Sequence, residues 1–396
     1  MSNFSSRLIA WQRRHGRHDL PWLGADAYLV WLSEIMLQQT QVATVIPYYL
    51  RFIASFPTIA ALAEASEEQV LAHWSGLGYY ARGRNLHRAA QIIMEKHRGE
   101  FPRQYRQILE LPGIGRSTAA AICALALHER RAILDGNVKR VLARYCGIEG
   151  WAGEKKVEEK LWSQAEALLP PPCRGRVGEG VEVINASTPI LAFPLHGGRD
   201  LSAANSHIAT YTQALMDMGA TLCTRGKPKC ERCPVQSDCV AFQEGRIGEL
   251  PTPRPRKVVP EKHATFLLLL HGNDILLEKR PGSGIWGGLW CPLQFDDEES
   301  ARNWFVQNGM AASEGERLEA FSHTFSHFRL HIAPLKIRLA HKPLLAAQPG
   351  SVWLDVEEAL RAAIPAPVRV LLGKLSGDAS RAACMKKAWN DRARTP

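Results

Sequence analysis

The sequence predicts a multidomain chain, an all-α region built around a helical hairpin and a cysteine-rich loop, followed by an α+β domain. Three observations predict it. Before residue 170 the apolar residues recur at helical spacing and β-branched runs are few. Four of the nine cysteines fall between positions 223 and 239. A proline-rich basic stretch at 245–262 then separates the helical pattern from strand-like runs.

A chain of 396 residues, 46% hydrophobic and 22% charged, is long enough for two or three domains with full cores. The formal net charge of +10 suits a polyanionic partner, although proteins without one also carry such a balance. No apolar run reaches the length of a membrane span. The N-terminal stretch has no apolar core before a small-residue cleavage site, so a cytoplasmic location is expected. An odd cysteine total with one tight cluster argues against a secreted disulfide framework and for a metal site in a reducing compartment.

Taken in order, the first helix ends near Gly16 and is followed by Leu20-Pro21-Trp22, a packed connection. Tyr28–Gln41 reads as a helix with Leu29, Leu32, Ile35, Met36 and Gln39 on one face. Glu34 is its single acid, and Gln38, Gln39 and Thr40 form a polar run able to bond base edges. An isolated carboxylate of this kind is more often a surface residue. The loop Gly76-Leu77-Gly78-Tyr79-Tyr80 is either a helix cap with two core tyrosines or a tip carrying Leu77 and Tyr79. Helices are expected at Glu67–Trp74, Ala81–His97 and Glu154–Leu168.

The hairpin runs from Leu109 to Arg144. Tyr105–Glu110 leads into Leu111-Pro112-Gly113-Ile114-Gly115, and an Ala-rich helix from Ser117 leads out. Gly113 and Gly115 permit positive φ and close approach of another molecule. The N–H groups of Ile114, Gly115 and Arg116 would lie at a helix start, where an anion such as a nucleic-acid phosphate is favoured. Asp135-Gly136-Asn137 then heads a second amphipathic helix. A plain αα corner followed by an aspartate N-cap accounts for either piece alone.

Residues 171–206 are rich in Gly and Pro and lack any period. Cys223-x6-Cys230-x2-Cys233-x5-Cys239 follows, and four such thiolates can surround one ion or one cluster. Lys227, Lys229 and Arg232 between them would project as phosphate contacts. Strands are expected at His263–Leu270, Asp274–Lys279 and His327–Leu339, with a helix at Glu299–Gln307. Two Phe-Ser-His triplets lie four apart, the second being Phe325-Ser326-His327.

Together the hairpin with its trailing aspartate, the block SEIMLQQTQVATVIPYY, the GLGYYAR loop and the cysteine spacing resemble the MutY-type adenine DNA glycosylases of the helix-hairpin-helix superfamily. The resemblance covers about residues 8–370. It implies a helical glycosylase region over 1–244, a linker at 245–262, a Nudix-like recognition domain over 263–375 and a basic tail at 376–396. Family members join the flanks of 171–206 by a few residues, so that stretch is expected to be an exposed inserted loop. The hydrolytic glutamate run of Nudix enzymes is absent after Gly284-Ile285-Trp286-Gly287-Gly288, which argues against a nucleotide pyrophosphatase.

The resemblance further implies a [4Fe–4S] cluster on the four cysteines, Glu34 as proton donor to adenine, and Asp135 as the carboxylate facing the sugar. Asn137 and Ser117 would orient the nucleophile. Gly113, Gly115, Gln38, Gln39 and Thr40 would face DNA, Leu77 and Tyr79 would wedge into the stack, and Phe325, Ser326 and His327 would read the opposite base. The implied partner is double-stranded DNA with adenine opposite 8-oxoguanine or guanine, bound by a monomer. Endonuclease III-type relatives carry a Schiff-base lysine where this chain has Ser117, so a monofunctional enzyme is expected. The alternatives are a bifunctional oxidised-pyrimidine glycosylase and a non-catalytic redox-sensing DNA-binding protein; a pure binder would need neither Glu34 nor Asp135.

Overall fold

The computed structural model describes residues 3–172, 207–255, 258–282, 284–310, 315–325, 327–343 and 350–376. Residues 173–206 of the expected insertion, Ser326, and residues 377–396 of the expected tail lie outside the described residues. The helices are α1 (Asn3–His15), α2 (Ala27–Leu37), α3 (Val42–Ser55), α4 (Ile59–Glu64), α5 (Glu67–Trp74), α6 (Ala81–His97), α7 (Tyr105–Leu109), α8 (Arg116–Ala126), α9 (Gly136–Tyr145), α10 (Lys155–Ala167), α11 (His207–Thr221) and α12 (Val240–Gln243). The sheet region follows with β1 (Glu261–His271), β2 (Asp274–Lys279), β3 (Trp290–Cys291), β4 (Leu293–Phe295), α13 (Glu298–Gln307), β5 (Glu316–Arg317), β6 (Phe321–Thr324), β7 (Arg329–Arg338), β8 (Ser351–Asp355), α14 (Val356–Arg361) and α15 (Ala366–Leu375). No helix among the described residues is long and apolar enough to cross a membrane.

By contacts the chain divides into one unit of residues 1–42 with 95–255 and a second of 43–94 with 256–396. This grouping does not follow chain order. In the first unit α11 packs on α1, α8 and α9, and α2 packs on α8. Its core joins Phe4 and Leu8 of α1, Val138 and Leu142 of α9, and Tyr211, Leu215 and Met218 of α11. Asp217, fully buried on α11, is offset by Arg17 Nη2 at 2.6 Å and by Gln12 and Gln213 amides at 3.0 and 2.8 Å.

In the second unit α3–α6 bury Tyr49, Phe52, Leu62, Leu71, Trp74 and Leu86. The sheet runs β3-β2-β1-β7-β5, with β4 on β1, β6 on β7 and β8 on β2. Its centre is the parallel pair β1–β7, in register from Glu261↔Arg329 to Leu270↔Arg338. Ala264–Leu270 is buried throughout, as a strand covered on both faces requires. One face carries α13 through Ala301 and Phe305. The helices and the sheet region belong together because Glu68 of α5 accepts from Trp290 Nε1 at 2.5 Å and Arg84 of α6 donates to the Gly287 carbonyl at 2.5 Å.

Candidate active site

Glu34 lies on α2, where Tyr28, Val30, Trp31, Leu32, Ser33, Ile35 and Met36 are all buried. The expected single apolar stripe is therefore widened over most of the helix surface, and Glu34, half-buried among these residues, is drawn partly out of water with it. Burial pushes the Glu34 carboxyl up to about 8, and the Asp135 charge adds to the rise. Asp135 is the N-cap of α9, accepting from Val138 N at 2.7 Å. Burial raises its pKa too, opposed by the Val138 and Asn137 N–H groups, Arg140 and the Asn137 side chain. The capping reading and the electrostatic one thus hold for the same carboxylate. Of the two acids, Asp135 carries the donors and the cation, so the proton resides on Glu34.

The hairpin turn differs in detail from its expectation. Gly113 alone takes the left-handed conformation (φ +81°), whereas Gly115 is an extended N-cap at φ −95°. Ile114 N donates to Leu111 O at 3.2 Å and is not a free donor for an anion. A Cβ built on Gly115 or on Gly136 would meet nothing within 4 Å. Neither φ nor a neighbour in the described chain demands glycine at these two positions.

Ser117 Oγ accepts from Leu134 N at 2.9 Å, which ties the start of α8 to the residue before Asp135. Helix α2 stops at Leu37 rather than running to Gln41, because Gln38 leaves helical geometry and Gln39 turns left-handed (φ +57°). Gln38 Nε2 reaches Gly113 O and Thr118 Oγ1, both at 3.3 Å, and Thr40 Oγ1 donates to Gln38 O at 3.4 Å. Gln39 is the exposed member of the three.

Two arginines on α9 extend the site beyond the residues that the sequence predicts. Arg140 Nη2 donates to Asn137 Oδ1 at 2.8 Å and to Gly219 O at 2.6 Å, and its Nε donates to Cys223 O at 2.7 Å. Arg144 donates to Cys223 Sγ at 3.4 Å, Thr224 O at 2.8 Å and Leu250 O at 2.7 Å. The signal was present as Asn137, Arg140 and Arg144 at spacings of three and four. Helix α9 thus joins the Asp135 cap to the cysteine loop.

Cys223, Cys230, Cys233 and Cys239 are free thiols lining one cavity. Burial, chiefly, and then the three neighbouring sulfurs push Cys233 up to about 11, so four thiolates gather here only around a compensating charge. Among the described residues no three His, Cys, Asp or Glu side chains converge on a point fit for a single ion. Four sulfurs ringing a cavity, with a guanidinium on the first, fit a cluster of several irons. Lys227, Lys229 and Arg232 are exposed, as expected.

In the second unit, Leu77 is 4% exposed and Tyr79 51%, so the tip of the Gly76–Tyr80 loop displays Tyr79 alone. Phe325 and His327 lie in the tight turn joining β6 to β7, closed by Phe325 N donating to Phe328 O at 2.8 Å. The Phe325 ring packs on Phe328 at 4.5 Å and Trp286 at 5.5 Å, while His327 is exposed.

Residues 32–167 match the HhH-GPD superfamily of base excision DNA repair proteins, 223–239 the iron–sulfur binding domain of endonuclease III, and 264–374 the NUDIX domain. The chain is 37% identical over 371 residues to the adenine DNA glycosylase of Buchnera aphidicola subsp. Acyrthosiphon pisum (strain APS), covering 93% of this chain and 96% of that one. It is 35% identical to that of Buchnera aphidicola subsp. Schizaphis graminum (strain Sg), covering 93% and 97%. It is 32% identical to that of Homo sapiens, covering 91% and 72%.

Proposed function

Because the chain belongs to the adenine DNA glycosylase family, a base excision repair enzyme that hydrolyses the N-glycosidic bond of adenine, we propose that its substrate is adenine paired with 8-oxoguanine or guanine. The nucleotide is extruded from the duplex into the site and an abasic site is left. The observation that carries this reading is a carboxyl held protonated up to about 8 beside a second carboxylate braced by N–H donors.

Adenine leaves poorly unless protonated. Glu34 donates its proton toward N7, the C1′–N9 electron pair departs with the base, and positive charge develops on the sugar. Asp135 faces that cation. Water then adds at C1′ and returns its proton to the Glu34 carboxylate. A positioned acid contributes about 10²–10⁴-fold, and electrostatic stabilisation of the cation a comparable factor. Asn137 and Ser117 support the Asp135 loop. Ser117 has no amine with which to form an imine, which supports a monofunctional enzyme.

Gly115 and Gly136, bare without an internal reason, support close approach of a DNA backbone. Gly113 shapes that turn, and Gln38, Gln39 and Thr40 border it. Tyr79, with Leu77 beneath it, would enter the vacated stack. Phe325, Ser326 and His327 would read the opposite base, a serine hydroxyl accepting from the N7–H that 8-oxoguanine has and guanine lacks. The four cysteines hold a [4Fe–4S] cluster, which supplies a charge-compensated anchor for the loop bearing Lys227, Lys229 and Arg232. A reducing, cytoplasmic compartment suits that cluster and the free thiols, and a monomer suffices.

The test is a single-turnover assay on duplexes holding adenine opposite 8-oxoguanine, adenine opposite guanine, and thymine glycol. Adenine release from the first two is expected, abolished in Glu34→Gln while duplex binding persists. Replacing Ser326 and His327 by Ala should erode the preference for 8-oxoguanine about 10- to 100-fold, as for one or two lost base contacts. Release of thymine glycol with strand cleavage would instead favour the bifunctional alternative.

A further inference from the structure

The loop that displays Tyr79 is tied at its base to the C-terminal helix. Ser75, the C-cap of α5, donates its Oγ to Ile364 O at 2.6 Å and accepts from Arg369 Nη2 of α15 at 2.7 Å. The Ser75 carbonyl accepts from Tyr48 Oη at 3.2 Å. Gly76 follows at φ +96°, where a Cβ would sit 2.3 Å from Tyr48 Oη, and its N–H donates to Tyr80 Oη at 3.3 Å. Gly78 (φ +80°) accepts at its carbonyl from Trp74 Nε1 at 3.2 Å and Arg82 Nη2 at 3.1 Å. Tyr79 itself is left-handed at φ +49°, a conformation unfavourable for an aromatic residue and maintained only where the surroundings dictate it.

Arg369 is fixed from its own side as well. Its Nη1 donates to Leu360 O and its Nη2 to Ala362 O at 3.2 Å. Burial pulls this guanidinium below its ordinary value, a price in desolvation that a surface arginine would not meet. The Ser75 hydroxyl is therefore a junction through which residues 360–369 hold the segment leading to Tyr79.

We propose that Arg369 is a positioning residue for the Gly76–Tyr79 loop, through which the C-terminal region holds Tyr79 in the conformation that enters the duplex. The inference rests on the proposed function, in which Tyr79 fills the stack vacated by adenine. A loop ordered beforehand loses less freedom on insertion, so the arginine acts on base extrusion and leaves initial duplex binding alone.

The experiment places 2-aminopurine beside the target adenine and compares the full chain with Arg369→Met, Arg369→Lys and Ser75→Ala, all well below their melting temperatures. Arg369→Met is expected to diminish the fluorescence rise on binding and to slow single-turnover excision about tenfold, the loss of one charge-assisted hydrogen bond that acts during extrusion. Duplex Kd should stay within a few-fold, and Arg369→Lys should recover part of both signals. Ser75→Ala should show the same signature without touching the arginine stem, and it decides the matter alone if Arg369→Met does not fold. Parental fluorescence and excision in these variants would overturn the proposal. An undiminished fluorescence rise in Tyr79→Ala would overturn it too, by removing the loop from extrusion. A parent protein that releases no adenine from any duplex would overturn the functional reading instead.

Discussion

Glu34 binds its proton more tightly in the folded chain, where its pKa is about 8, than in an unfolded one, where 4.5 is usual. A raised carboxyl contributes stability that is complete below about 4.5 and lost as pH rises through about 8. Glu34→Gln is neutral at every pH. Its Tm is expected to match the parent's near the lower limit and to exceed it above the upper one, where the stability difference reaches about a few kcal/mol. Thermal melts across that range check this, and parallel curves would mean that Glu34 is ionised in the fold. The same group ties activity to pH: excision should decline as pH rises through about 8, because the acid is then lost.

Among the elements, α9 does the most joining. Its N-cap is Asp135, its first turn bears Asn137, and Arg140 and Arg144 reach the Cys223 segment. Arg140→Met would keep most of the stem volume but leave Asn137 Oδ1, Gly219 O and Cys223 O without this donor. Each part-buried acceptor so abandoned costs about 1 kcal/mol. The expected result is a drop in Tm together with a single-turnover rate lowered about 10- to 100-fold, while duplex affinity changes little. Excision at the parental rate would show that Asp135 is held without Arg140. The β6–β7 turn is the second element of note, since Thr324↔Arg329 pairing and the Phe325–Phe328 closure hold His327 out from the sheet.

Purified anaerobically, the protein is expected to be yellow-brown with about four irons per chain, as Cys₄ ligation requires. Removing the iron should lower Tm and weaken duplex binding, because the loop bearing Lys227, Lys229 and Arg232 loses its anchor. Stoichiometric zinc without iron, or an iron-free protein that binds DNA as tightly as the parent, would contradict this. The two-unit division adds that α3–α6 are held to the sheet region by Glu68, Arg84 and Ser75, although the sequence places them inside the helical half.

Legible in the sequence alone are the helices Glu67–Trp74 and Ala81–His97, the strand Asp274–Lys279, the cysteine loop by its spacing, the hairpin by Pro112 and Gly113, and the Asp135 cap ahead of an amphipathic helix. These are local matters, written within a turn or a few residues. Strands as short as Trp290–Cys291 and Glu316–Arg317 have too few residues to show a period, and α3, α4, β8, α14 and α15 likewise lie beyond what the sequence predicts. Only the packed chain buries most of α2 and so raises Glu34, ends α2 at Leu37, and turns Leu77 inward while Tyr79 faces out. It also brought Arg140 to Cys223 and Arg369 to Ser75, 83 and 294 positions apart. Desolvation and long-range hydrogen bonds are sums over neighbours that chain order does not name, so proton affinity and positioning become legible only when those neighbours are in place.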